Sequence, residues 1–205
     1  MAYYCVFCEI IAGREPAKVE YEDDDVVVFH NRLDWADVML LAVPRAHLYQ
    51  DELWTQGIMA KVSRVAVEMG RAHCPGGFRL VSNFGGHAMQ SQPHAHVHVV
   101  DGKYLSPYPK SPAGVHYEEA NVVVYHNDSG RVPVSLLAKT RRPVSQDQLW
   151  SSDAIVDVSR VAVGRGAEHC PSGFRLLSDF GLKGTPPDDD GHLHIIGGTH
   201  LGEYA

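Results

Sequence analysis

The sequence lacks several features that would each define a class of protein. No apolar run approaches the roughly 20 residues needed to cross a bilayer. The first residues have neither the basic nor the apolar region of a signal peptide, and four cysteines are too few for a secreted disulfide scaffold. Basic residues are outnumbered, because 18 Lys and Arg face 25 Asp and Glu, and the net charge is −7. We therefore predict a cytoplasmic protein with no nucleic-acid and no membrane partner.

What the sequence does contain is an internal repeat. Segments of the first half return in the second half, each displaced by 96 residues without a gap. The matched segments are 22–31 with 118–127, 50–54 with 146–150, 62–67 with 158–163, and 74–85 with 170–181. A match of this extent predicts a tandem duplication. We place one domain at residues 1–105 and a repeat of it at 106–205, joined through a stretch containing Pro and Ser.

Each copy has the same predicted elements. Runs of β-branched and apolar residues predict strands at 26–29, 38–43, 78–82 and 94–100 in the first copy. Residues 51–73 carry apolar side chains at helical spacing, which predicts one long amphipathic helix. The second copy repeats this order, and only the first begins with a short helix at 7–12. Strands from adjacent segments around one helix indicate an α+β fold with an antiparallel sheet in each unit.

Thirteen histidines stand out in the composition, and three of them alternate along one short segment. His94, His96 and His98 are separated by Ala95 and Val97. On a strand, alternate side chains share a face, so the three imidazoles would point the same way. A solvated strand face would also fit this pattern. Three histidines in register favour a functional site.

These residues resemble the histidine-triad (HIT) family, whose signature alternates histidine with apolar residues. The resemblance covers most of residues 5–102, including the opening CVFCEIIAGREP, the segment VPRAH and the segment FRLVSNFG before the triad. It implies an enzyme in which the middle histidine, His96, attacks the α-phosphorus of a nucleotide and carries the nucleotidyl group. The expected substrate is a purine nucleotide, either a phosphoramidate or a dinucleoside polyphosphate, and the activity is that of a hydrolase or nucleotidyl transferase.

The same resemblance implies roles for individual residues. We expect His96, His98 and Ser91 in catalysis and six residues around the nucleotide, namely Asn31, Asn83, Gln90, Phe7, Ile10 and Phe29. Asn31 stands where the family usually has an acidic residue, and Met39 where many members have another histidine. A nucleotide-binding sensor or scaffold with little catalysis is therefore the alternative.

A second constellation predicts a metal site. Cys5 and Cys8 form a Cys-x-x-Cys pair which, with His47 and His94, is suited to a tetrahedral structural zinc ion. The second copy lacks all four, since it has Asp101, Tyr104, Pro143 and Asp190 at the equivalent positions. Some bacterial members of the family bind zinc at matching positions. A redox pair or ordinary buried thiols are the other interpretations.

The second copy is predicted to hold a degenerate site. It keeps His192 and His194, but Asp179 replaces the asparagine, prolines 186 and 187 replace the Gln-Ser donors, and residues 188–190 are all Asp. Such negative charge disfavours a phosphate. Because family members form two-fold dimers, we expect the two units to be fused as an intramolecular pseudo-dimer, a monomer or weak homo-oligomer. We also expect residues 200–205 to contribute to the first unit's pocket.

Overall fold

The computed structural model describes residues 4–185 and 190–202. Its described residues form five α-helices: α1 (Val6–Ile11), α2 (Gln50–Thr55), α3 (Ile58–His73), α4 (Gln146–Trp150) and α5 (Ala154–His169). The strands of the first half are β1 (Val19–Glu22), β2 (Val26–His30), β3 (Met39–Pro44), β4 (Phe78–Phe84) and β5 (Val97–Asp101). Those of the second half are β6 (Pro112–Glu119), β7 (Val122–Asn127), β8 (Val134–Thr140), β9 (Phe174–Phe180) and β10 (Leu193–Gly197).

The ten strands form one antiparallel sheet in the order β1-β2-β3-β5-β4-β9-β10-β8-β7-β6. The predicted α+β class is confirmed. Runs such as the VVVFH of β2 and the MLLAVP of β3 are buried almost throughout, because helices or loops cover both faces of these central strands. The outermost strands β1 and β6 are mostly exposed or half-buried, and the sequence did not reveal them.

The long helix predicted at 51–73 is wrong in one respect, since it is two helices. The backbone of Gln56 is extended, with φ −114° and ψ 161°, and separates α2 from α3. Trp54 before the break and Met59 after it are both fully buried. The apolar spacing continues across the break, and for this reason periodicity alone predicted a single helix.

The two halves meet along β4 and β9, which pair over seven residues. Phe78 stacks on Phe180 with ring centroids 4.6 Å apart, and Phe84 stacks on Phe174 at 4.4 Å. On the helical face the Trp54 and Trp150 rings meet edge to face at 5.9 Å. This continuous seam makes one sheet and one principal apolar core from both halves.

Helices and strands recur at the interval seen in the sequence. Helix α5 begins 96 residues after α3, and β9 begins 96 residues after β4. The arrangement is compatible with a tandem duplication and a pseudo-dimer, while the domain boundary at 105/106 stays a prediction. Among the described residues, no helix is long and apolar enough to span a membrane.

Candidate active site

A cavity of about 570 Å³ opens in the first half of the chain. Phe7 and Ile10 from α1 and Phe29 from β2 form an apolar wall. The polar side of the cavity is formed by the end of β4, the loop after it and residues 94–98, the histidine segment. The predicted residues that line this cavity are Phe7, Ile10, Phe29, Asn31, Asn83, Ser91, His96 and His98.

The histidine segment departs from its predicted conformation. A strand was expected over 94–100, but β5 begins only at Val97. Before Val97 the backbone forms a hydrogen bond outside the sheet: the Ala95 N–H donates to the Leu48 carbonyl at 2.8 Å. Ala95 and Val97 pack in the principal apolar core, as the predicted alternation requires. The three histidines do not share one site, because His96 and His98 line the cavity while His94 joins the cluster of Cys5, Cys8 and His47.

The backbone of His96 is held by a side chain that the sequence analysis did not single out. The His96 N–H donates to Gln50 Oε1 at 2.9 Å, and the Gln50 amide donates to the His96 carbonyl at 2.8 Å. Ser82 Oγ donates to the same carbonyl at 2.9 Å. Gln50 is only 3% exposed, so water does not compete for these bonds. The signal that could have found it is its return as Gln146 within the repeated QD-x-LW segment.

The hydrogen bonding of the His96 ring determines which nitrogen can react. Nδ1 lies 2.8 Å from the His94 carbonyl, which can only accept, so Nδ1 carries the proton. Nε2 therefore keeps its lone pair. Burial lowers the pKa of His96 to about 4, and burial with the nearby His96 and Arg175 lowers the pKa of His98 well below its ordinary value. Both imidazoles are neutral near pH 7, and a neutral imidazole can be a nucleophile.

Asn83 is oriented from the other half of the chain. Arg175, on β9, donates from Nε to Asn83 Oδ1 at 2.7 Å. Arg175 is 1% exposed and lines the same cavity as His96 and His98. Arg175 was not among the predicted site residues, although it belongs to the GFRL segment that both copies share.

Asn31 and Gln90 differ in how they meet the cavity. Asn31 lines it, and its Oδ1 accepts a hydrogen bond from the Leu33 N–H at 3.2 Å. Gln90 does not line the cavity. Its side chain accepts from the Gly85 N–H at 2.8 Å and donates to the Gln92 carbonyl at 3.1 Å, which holds the loop that carries Ser91. Among its described neighbours, Gln90 thus bonds only within this loop.

The four predicted metal ligands lie together. The candidate ligand atoms of Cys5, Cys8, His47 and His94 are all within 4.8 Å of one another. Nδ1 of His94 is 3.5 Å from each cysteine Sγ, and Nδ1 of His47 is 3.2 Å from Cys8 Sγ. Tetrahedral zinc, with Zn–S of about 2.3 Å and Zn–N of about 2.0–2.1 Å, separates sulfur and nitrogen ligands by about 3.5 Å.

The surroundings of His94 also suit a metal ligand. Its other nitrogen, Nε2, lies 2.8 Å from the Pro44 carbonyl, an acceptor that places the proton on Nε2. Nδ1 is then the lone-pair nitrogen facing the thiols. A backbone acceptor on the outer ring nitrogen is the usual support for a ligating histidine, so the donor set fits a zinc ion.

Side chains of the second half pack against the histidines at the equivalent site. Tyr108 is buried, its ring centroid lies 4.9 Å from that of His194, and its N–H donates to Asp179 Oδ2 at 2.6 Å. Asp179 also accepts from Arg79 at 2.6 and 3.1 Å. Nε2 of His192, the counterpart of His96, is 3.1 Å from Nε2 of His194. Residues 186–189, two prolines and two aspartates on which part of the degeneracy prediction rests, lie outside the described residues.

The C-terminal segment reaches the first half as far as it is described. The Leu201 N–H donates to the His87 carbonyl at 2.8 Å, and Arg175 donates to the Gly202 carbonyl at 2.9 Å. Residues 200–202 therefore pack beside the cavity without lining it. Residues 203–205 lie outside the described residues.

Comparison with known proteins identifies the family. Residues 4–114, just over half of the chain, match the family model described as "Scavenger mRNA decapping enzyme C-term binding". Protein hit of Bacillus subtilis is 33% identical over 101 residues, which are 47% of this chain and 69% of that protein. An uncharacterized 13.2 kDa HIT-like protein of Azospirillum brasilense is 30% identical over 108 residues, 50% of this chain and 88% of its own length. The chain belongs to the HIT family.

A solved structure extends the likeness in fold to nearly the whole chain. A DUF4931 family protein from Bacillus cereus superposes with a TM-score of 0.60 over 91% of this chain and 88% of its own, at 9% identity. At that identity the likeness concerns the fold alone. The HIT-family matches cover about half of the chain, and the fold of both halves together thus has a counterpart in a single chain.

Proposed function

We propose that the protein hydrolyses or transfers the nucleotidyl group of a purine nucleotide substrate through an intermediate on His96. One observation carries this proposal, namely that the lone-pair Nε2 of His96 belongs to a ring lining the same cavity as His98, Asn83 and Ser91. A neutral nucleophile beside uncharged polar side chains suits attack on a phosphorus that bears negative oxygens.

The reaction has two balanced steps. In the first, His96 Nε2 forms a bond to the α-phosphorus, and the bond from phosphorus to the leaving nitrogen or oxygen breaks. The leaving group takes that electron pair and a proton from solvent, and departs as an amine or as a nucleoside polyphosphate. In the second, water attacks the phosphorus and gives a proton back to solvent, the electron pair of the P–N bond returns to His96 Nε2, and the nucleoside monophosphate is released. Donors from Asn83 and Ser91 would stabilise the charge on the phosphoryl oxygens.

The apolar wall supports a purine as the base. The rings of Phe7 and Phe29 meet edge to face with centroids 5.3 Å apart, and Ile10 lines the same side of the cavity. A purine offers such a surface a larger flat aromatic area to bury than a pyrimidine does. Asn31 would face the sugar with an amide oxygen rather than a carboxylate.

The zinc proposal concerns structure and not the reaction. When bound, a zinc ion with four protein ligands stabilises the fold and leaves no open position for a substrate. Cys5 and Cys8 would tie α1, whose Phe7 lines the cavity, to His94 at the start of the histidine segment. The site residues then keep their positions relative to each other.

The second half would act as a fused partner with an inactive site. Tyr108 packs beside His194, and the Asp179 carboxylate, which is paired with Arg79, has no donor to offer a phosphate. We propose that the units form an intramolecular pseudo-dimer in which the first half alone reacts.

The experiment compares equivalent histidines. Wild type, His96→Ala and His192→Ala are incubated with an adenosine phosphoramidate and with a diadenosine polyphosphate, and release of AMP is followed. We expect turnover that His96→Ala abolishes and His192→Ala retains. Tight binding without turnover in the wild type would instead support the sensor. Turnover that survives His96→Ala would overturn the mechanism.

A further inference from the structure

The seam between the halves contains two arginines at equivalent positions, and they meet different partners. Arg79 on β4 and Arg175 on β9 are 96 residues apart and nearly fully buried. Each crosses the β4–β9 pairing to a side chain of the other half. Arg79 meets the carboxylate of Asp179, and Arg175 meets the amide of Asn83.

The bond from Arg175 determines how the Asn83 amide is turned. A guanidinium N–H can only donate, so the Asn83 atom 2.7 Å from Arg175 Nε is the amide oxygen. The NH₂ end of Asn83 is consequently the end that Arg175 does not use. Since Asn83 lines the cavity, this orientation of its amide leaves the NH₂ group available as a donor to a bound phosphate.

The backbone holds Arg175 in this place. One Nη atom donates to the Gly202 carbonyl at 2.9 Å and lies 3.5 Å from the Ala88 carbonyl. These contacts come from the C-terminal segment and from the short 3-10 helix (Gly86–Ala88) beside the cavity. Arg175 itself lines the cavity, where its positive charge lies close enough to act on His98.

We propose that Arg175, which belongs to the second half, is a positioning residue for the phosphate of the substrate. It fixes the orientation of the Asn83 amide and places a positive charge at the cavity. The second half is then part of the first half's binding site. This inference rests on the proposed function.

The equivalent position in the other half explains why only Arg175 is expected to position a phosphate. A carboxylate has no donor end, so Asp179 cannot present a hydrogen to a phosphate however Arg79 turns it. Arg79 and Asp179 also form an ion pair, so the positive charge of Arg79 is balanced by a carboxylate of the protein. Arg79 thus provides a matched control, equal in residue type, burial and place on the seam.

The experiment measures binding of a nucleoside with and without its phosphate. Isothermal titration calorimetry with AMP and GMP, each beside its parent nucleoside, is carried out on wild type, Arg175→Lys, Arg175→Gln and Arg79→Lys. Thermal unfolding of each variant shows that it is folded. Arg175→Lys keeps the charge and so guards against a failure of Arg175→Gln to fold.

We expect Arg175→Gln to bind the monophosphate about 10- to 100-fold more weakly, the range for a charge-assisted hydrogen bond. Arg175→Lys, which keeps the charge but not the guanidinium geometry, should also bind it more weakly than wild type, with a smaller loss than Arg175→Gln. The affinity of both variants for the nucleoside should stay within about twofold of wild type, and so should the affinity of Arg79→Lys for either ligand. Folded Arg175 variants that bind the monophosphate like wild type would overturn the inference while leaving the proposed function intact. An equal loss in Arg79→Lys would also overturn it, since the effect would then belong to the seam in general. A wild type that binds no monophosphate would overturn the proposed function and this inference together.

Discussion

Replacing Gln50 with methionine tests how closely the reaction depends on the position of His96. Methionine is similar in size but cannot form the two hydrogen bonds between the Gln50 side chain and the His96 backbone. The His96 carbonyl would keep its bond from Ser82, while the His96 N–H would lose its acceptor. The mutation therefore leaves one buried donor unsatisfied.

The magnitude follows from that single donor. An unsatisfied buried N–H costs about 1–3 kcal/mol, so we expect the free energy of unfolding of Gln50→Met to fall by about 2 kcal/mol. For a chain of this size that lowers Tm by about 4–8 °C. Because the released segment carries His96 itself, kcat should fall by about 10- to 100-fold, the loss that a displacement near 1 Å can cause. KM should change much less, because the apolar wall does not depend on Gln50.

Gln146 is the control within the same chain. It makes the equivalent bonds to the His192 backbone, at 2.8 and 3.0 Å, and is half-buried. Gln146→Met should cost less stability, since water can reach the released groups, and should leave kcat unchanged. AMP release from the adenosine phosphoramidate and thermal unfolding are measured on both variants. A normal kcat for Gln50→Met, or an equal loss of kcat for Gln146→Met, would refute the positioning role.

Two further predictions concern the metal cluster and the seam. Cys8→Ser should remove nearly all zinc measured by inductively coupled plasma mass spectrometry, whereas Cys74→Ser, a buried thiol outside the cluster, should keep it; equal zinc in both variants would exclude the site. Gly173→Ala should lower the free energy of unfolding by more than about 1 kcal/mol, because φ is +134° there and a Cβ would lie 2.6 Å from the Phe84 carbonyl oxygen. Gly164→Ala, inside α5 with nothing within 4 Å of its Cβ, should instead raise it by about 0.5–1 kcal/mol, and chemical denaturation distinguishes the two results.

The family resemblance and the local pattern predicted many of the residues that the structure places around one cavity or in the cluster of cysteines and histidines. Histidines at alternate positions and a Cys-x-x-Cys pair are recognisable because such chemistry needs particular residue types at short spacing. The strands of β-branched residues were also predicted, as was the α+β class, since burial selects such runs. The break between the helices at Gln56 was missed because the apolar spacing continues across it.

By itself, then, the sequence predicted most of the elements and the histidine and cysteine patterns, because each depends on residues close together along the chain, and the constant interval of 96 residues indicated a repeat. Only the tertiary structure decided which distant residues form hydrogen bonds with the residues around the cavity. Arg175 is 92 positions from Asn83 and Gln50 is 46 from His96, and both meet their partners through the pairing of strands and the packing of α2. Tyr108 likewise packs against His194 from a segment of no recognisable motif. Hydrogen bonds of this kind depend on distances between elements, and a linear pattern of residue types carries no such distances.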